Sequence, residues 1–198
     1  SSLVVEVQMQ KEDFFRWVVK GQSQQVELEA GYQPGRNPDF AGISFSYPEN
    51  EIASMKWLGN GPYRVYKNRA KGVQFGIWEK TYNNTVTGAS GYVYPEFKGY
   101  HDNMYWVKVL NKQAPGFTVY VHTDDIYLKM LTPGEPGKPE NAAMIYPEGD
   151  ISFLHIINGI GDKFLEAKQL GPQSNPVLFN SGRLQHGKLL MHISFDFN

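Results

Sequence analysis

The chain contains no cysteine. Disulfide scaffolds, thiolate metal centres and cysteine nucleophiles are excluded together. Neither charge is in excess: 19 Lys and Arg stand against 20 Asp and Glu, a formal net charge of −1. A broad electrostatic grip on nucleic acid or anionic lipid is therefore not expected. No apolar run approaches the roughly 20 residues of a spanning helix, so a soluble chain without nucleic acid or membrane as partner is expected. The chain opens Ser1-Ser2-Leu3, with neither an initiator Met nor a signal-peptide pattern. The expectation is a piece of a longer protein whose targeting signal lies outside it.

Long stretches free of Gly and Pro are also scarce. The 20 Gly and 12 Pro are spread along the chain, and only 1–20, 100–114 and 117–132 run long without either. None of the three has helical spacing. Leu3, Val5, Val7 and Met9 alternate, as do Phe117, Val119 and Val121, which is the period of a half-buried strand. Ile126, Leu128 and Met130 continue the alternation past a turn at Asp124-Asp125. Apolar runs recur at Phe15–Val19, Ile43–Tyr47, Val73–Trp78, Met104–Leu110, Ile151–Ile157 and Leu189–Phe197. With 41% hydrophobic and 14% aromatic residues there is material for a sizeable core. The pattern predicts an all-β sandwich. No repeat, low-complexity tract or linker divides it, so 1–198 reads as one domain. Gly31–Gly42 and Thr132–Gly149 read as ordered loops, the second longer than most connections.

The densest motif is Trp57-Leu58-Gly59-Asn60-Gly61-Pro62-Tyr63, followed by Arg64 and then Asn68-Arg69. Gly59 and Gly61 are read as turn residues able to take positive φ, and Pro62 as their stiffener. The segment then forms a sheet corner whose Arg satisfies buried carbonyls. It is not a phosphate loop, because the further glycine and the Lys-Ser/Thr pair are absent. A second cluster runs from Tyr92 through Tyr94, Pro95, Glu96, Tyr100 and His101 to Tyr105 and Trp106. Aromatic rings beside carboxylates and amides suit a sugar surface, since ring faces pack on C–H groups while polar groups bind hydroxyls. The competing reading is an aromatic core under a polar loop.

Catalytic chemistry finds little support. Glu79 and Glu96 are the most suggestive carboxylate pair for a retaining glycosidase, yet nothing in the spacing makes them converge. His101 with Glu96, or His122, His155, His186 or His192, could serve a sugar isomerase as acid or base. Asp124-Asp125 and His101-Asp102 lack metal-ligand spacing. Asn83-Asn84-Thr85 matches a glycosylation acceptor. No catalytic residue, metal or cofactor is assigned.

Trp57 to Pro62 resembles the W-L-G-x-G-P signature in the last domain of large bacterial β-galactosidases of glycoside hydrolase family 2. Phe15-Arg16-Trp17 up to Ala30 resembles the strand pair before that signature, and Gly91 to Glu96 the aromatic-Val-aromatic-Pro segment after it. Ile157-Asn158-Gly159-Ile160-Gly161-Asp162 resembles the family's M-G-I-G-G-D-D turn, and Gly187 to Asp196 its closing strand. The resemblance covers about the last two thirds of that domain. It implies a galactose-mutarotase-like antiparallel β-supersandwich. It also implies that the catalytic glutamates sit on a separate barrel, which alone takes about 250 residues.

The family's terminal domain adds a Trp to the active-site rim just after the glycine turn. This chain departs there: one Gly and one Asp are missing, no Trp is present, and Phe164 is the nearest aromatic. The implied role is non-catalytic, shaping the sugar pocket of a parent glycosidase and packing on its other domains. Carbohydrate contact is expected through Asp162, Lys163 and Phe164, helped by Tyr94, Glu96 and His101. Trp57, Gly59, Gly61, Pro62 and Arg64 are expected to be structural. Phe164 tucked into the sandwich is the competing reading of the turn. The alternative function is a free-standing sugar-binding or mutarotase-like protein. A bacterial periplasmic or extracellular setting is favoured over a cytoplasmic one.

Overall fold

Alternating apolar residues become strands along the whole chain. The computed structural model describes residues 2–9, 13–35, 38–85, 93–134, 144–171, 174 and 188–198. Eleven strands follow in order: β1 Ser2–Gln8, β2 Phe14–Lys20, β3 Gln25–Tyr32, β4 Ala41–Phe45, β5 Ile52–Val65 and β6 Gln74–Thr81. Then come β7 Gly99–Asn111, β8 Phe117–Val121, β9 Tyr127–Met130, β10 Ile151–Ile156 and β11 Leu189–Asp196. No described residue lies in an α-helix, and no described helix is long and apolar enough to cross a membrane. The parts of the two expected loops at 36–37 and 135–143 lie outside the described residues, as does His186.

All pairings are antiparallel, and the sheet forks at β7. Trp106 to Val109 of β7 pair with β8, whereas Gly99 to His101 pair with β9. One arm continues β8-β11-β3-β2-β1 and the other β9-β10-β4, while β5 and then β6 extend the opposite edge of β7. The arms curl face to face. Phe45 of β4 meets Phe117 of β8 and Phe195 of β11 edge-on, at 6.4 and 5.6 Å between ring centroids. Leu28, Trp57, Val107, Val119, Phe153 and Ile193 fill the space between. Burying each such side chain contributes about 1.5–3 kcal/mol. The result is an all-β antiparallel sandwich built from one curled sheet, as the alternation predicts.

The Trp57–Pro62 motif departs from its expected form. It is no corner: it lies inside β5, paired with β6 on one side and β7 on the other. Gly59 and Gly61 are absent from the positive-φ residues. Glycine is required for closeness instead. A Cβ on Gly59 would stand 2.7 Å from the Asn103 carbonyl oxygen, and one on Gly61 2.6 Å from the Trp78 ring. The peptide between Gly61 and Pro62 is cis. The β5–β7 register slips between Leu58 and Asn60, where β7 carries extra residues around Asn103.

One face of the long arm stays partly open. Leu3, Val5 and Val7 of β1 stand opposite Val19, Trp17 and Phe15 of β2, which stand opposite Val26, Leu28 and Ala30 of β3. Directly opposed residues share a face, so this is one apolar surface. Leu28 is buried, yet Leu3 is 61% exposed. A groove of about 490 Å³ remains, lined by Phe15, Trp17, Ile43, Phe45 and Phe195 among others.

Candidate functional site

β5 ends at Val65, and the chain doubles back through an isolated bridge between Tyr66 and Arg69. This small hairpin holds the segment after β10. The Asn68 amide pairs with the Ile160 backbone at both ends, donating to its carbonyl and accepting from its N–H, each at 2.9 Å. It also donates to Ser174 Oγ at 3.0 Å. Arg69 Nη2 donates to the Gly161 carbonyl at 3.2 Å, and the Lys67 N–H to that of Asn158. Gly159 is needed because a Cβ there would sit 2.9 Å from the Ser174 carbonyl oxygen. Four contacts therefore fix a stretch that lacks strand partners.

Beyond this clamp the chain turns outward. Asp162 Oδ1 accepts the N–H groups of Phe164 and Leu165, at 2.7 and 2.8 Å. These two donors hold its carboxyl below the usual carboxylate range. Phe164 is 77% exposed, with the Lys163 amine 5.6 Å from its ring centroid. Of the two readings of Phe164, the structure adopts the exposed one. Asp162, Lys163 and Phe164 thus stand together on a turn that is locally capped and held from behind.

Glu96 and His101 do not join them. Tyr94 is 59% exposed and stacks on Tyr63, with centroids 4.9 Å apart, ahead of a cis bond to Pro95. Glu96 and His101 were expected at a sugar surface, but both are buried. Glu96 Oε1 lies 3.2 Å from Arg64 Nε. His101 packs on Trp57 at 5.2 Å, with Nε2 on the Phe97 carbonyl. The Lys80 amine closes the cluster, donating to the carbonyls of Pro62 and Glu96, 5.5 Å from the Trp57 ring centroid. Burial lowers Lys80 to about 8 and His101 to about 3. The charges here are internal struts, since each is desolvated and answered by a neighbour.

The other sequence candidates are separated as well. Glu79 lies on the exposed side of β6 beside Lys56, whereas Glu96 is inside, so the two carboxylates do not face a common site. The Asn83 amide is engaged with the Pro95 carbonyl, the Phe97 N–H and Thr85. Among the described residues no group of three His, Cys, Asp or Glu is disposed to hold a metal ion. Asn68 was only a neighbour of the signature in the sequence. Its task depends on a segment ninety-two positions later, and no local pattern announces that.

Fold and site together define an antiparallel β-sandwich that presents a clamped aromatic turn beyond one strand end. The family model described as "Beta galactosidase small chain" matches residues 3–139. The chain belongs to that family. The match takes in β1 to β9, with Trp57–Pro62 and Asn68, while the Gly159–Phe164 turn lies beyond it. No curated protein matches the chain.

Proposed function

We propose that the chain is a non-catalytic, galactose-mutarotase-like domain of a family 2-like, β-galactosidase-like glycoside hydrolase. It completes the sugar pocket of the parent enzyme with the Gly159–Phe164 turn and packs on the parent's other domains through the open face of β1 and β2. The observation that carries the reading is Phe164: an aromatic ring left in solvent on a turn pinned by Asn68. Ring faces of this kind stack on the C–H face of a sugar, while Asp162 accepts hydroxyl protons and Lys163 donates. Family membership supports the parent's reaction class. The missing Trp leaves the choice of sugar to Phe164.

The test is Phe164→Ala in the enzyme that carries this chain. KM for a galactoside rises, or kcat falls, several-fold, while the melting temperature stays within a degree or so, because an exposed ring contributes little to packing. Unchanged kinetics overturn the assignment. A free-standing sugar-binding protein is favoured by one observation, a histidine-lined cleft that shares no residue with the turn.

A further inference from the structure

Across three neighbouring strands, His122, His192 and Glu29 fall into one row. His192 stands opposite Glu29 in the β11–β3 register, and the His122 N–H donates to the His192 carbonyl just beyond the β8–β11 ladder. The row lies on the face opposite to Leu28, Met191 and Ile193, so these side chains point away from the sandwich core. Together with the β8–β9 turn they border a cleft of about 610 Å³. The imidazoles of His122 and His192 touch, with centroids 4.4 Å apart. His122 Nε2 is 2.8 Å from Ser194 Oγ. His192 Nε2 is buried and has no hydrogen-bond partner, a vacancy that costs about 1–3 kcal/mol in a purely structural setting. Glu29 offers Oε2 to Arg16 at 2.9 Å, and Asp124 stands exposed at the rim.

The lining decides the class of occupant. Glu29, Asp124 and Asp125 bring carboxylates to the cleft and disfavour an anion. A transition metal would need three converging ligands, and no such group exists among the described residues. Burial and the neighbouring His192 lower the proton affinity of His122, so it stays neutral at pH 7. A neutral imidazole has one donor and one acceptor nitrogen, and a carboxylate accepts only. Sugar hydroxyls both donate and accept, which matches the pair. Phe14 and Leu190 add an apolar wall for a ring's C–H face. We propose that this cleft is a second site, distinct from the Phe164 turn, for a neutral polyhydroxylated ligand of mono- or disaccharide size. It is held between the two imidazoles and the carboxylates of Glu29 and Asp124.

The whole chain is titrated with galactose and with lactose while the ring resonances of His122 and His192 are followed by NMR. Both rings shift and saturate, with a dissociation constant in the millimolar range. His192→Leu weakens binding about tenfold, and Glu29→Gln, which keeps a partner for Arg16, weakens it in the same direction. If His192→Leu fails to fold, Glu29→Gln alone carries the comparison. Unmoved imidazoles overturn the proposal, as does a response to spermidine or zinc in place of either sugar. Binding confined to the Phe164 turn, with both imidazoles silent, overturns the cleft while leaving the proposed function intact.

Discussion

His101 shows how much a single buried group can impose on the pH profile. Burial first, and then the nearby Lys80 charge, lower it from 6.5 to about 3. Between those values the unfolded chain takes up a proton that the native chain refuses. Stability is therefore full above pH 6.5 and falls as the pH drops through that window, by up to about 1.4 kcal/mol per pH unit. His122, also lowered by burial, acts in the same sense. Urea unfolding from pH 7 to pH 4 should show this slope, and His101→Gln should flatten it. An unaltered slope would mean that His101 titrates normally. Trp57 is the second residue on which the cluster depends. Its ring is fully buried, lies under Lys80 and packs on His101. Trp57→Ala should cost about 3–5 kcal/mol in urea unfolding. A variant that melts like the parent chain would show that the ring packs nowhere essential.

The hairpin after β5 is an element whose task is elsewhere in the chain. Asn68 makes two of the bonds that fix the Gly159–Gly161 stretch, one of them shielding the Ile160 amide, and a third to Ser174. Asn68→Ala should raise amide exchange at Ile160 by at least about tenfold while Val107, inside β7, keeps its protection. Equal exchange in both proteins would mean that the turn holds itself. The elements also show what a sequence discloses. Strict alternation revealed β1 and β8: β8 buries Phe117, Val119 and Val121 on one face, whereas β1 shows the same period with every residue exposed. β5 was concealed because Gly59, Gly61 and Pro62 are ordinary turn residues, and only the approach of Asn103 and Trp78 explains them as strand residues. Phe164 was legible as the aromatic after a glycine turn. The row of His122, His192 and Glu29 was not, since it is set by the register of three strands far apart in sequence.

At the scale of the molecule the forked sheet leaves an imbalance. β4 ends the short arm, while the long arm runs on through β11, β3 and β2 to β1. Leu3, Val5, Val7 and Met9 are all exposed, although Val5 and Val7 share a face with the half-buried Trp17 and Phe15. β1 also has none of the devices that blunt an edge: it is seven residues long, regularly paired, free of Pro, and charged only at Glu6. A contiguous apolar face beside an unguarded edge is the surface proposed to pack on the parent enzyme. In the isolated chain this surface should bind the dye ANS and promote association at high concentration. Val5→Lys with Val7→Lys should suppress both while leaving unfolding free energy within about 0.5 kcal/mol per substitution, since the two side chains are already in solvent. A large loss of stability would show that β1 is held by its apolar side chains and not by the ladder to β2. Unchanged dye binding would move the contact surface to another face, and the proposed packing on a parent enzyme would have to move with it.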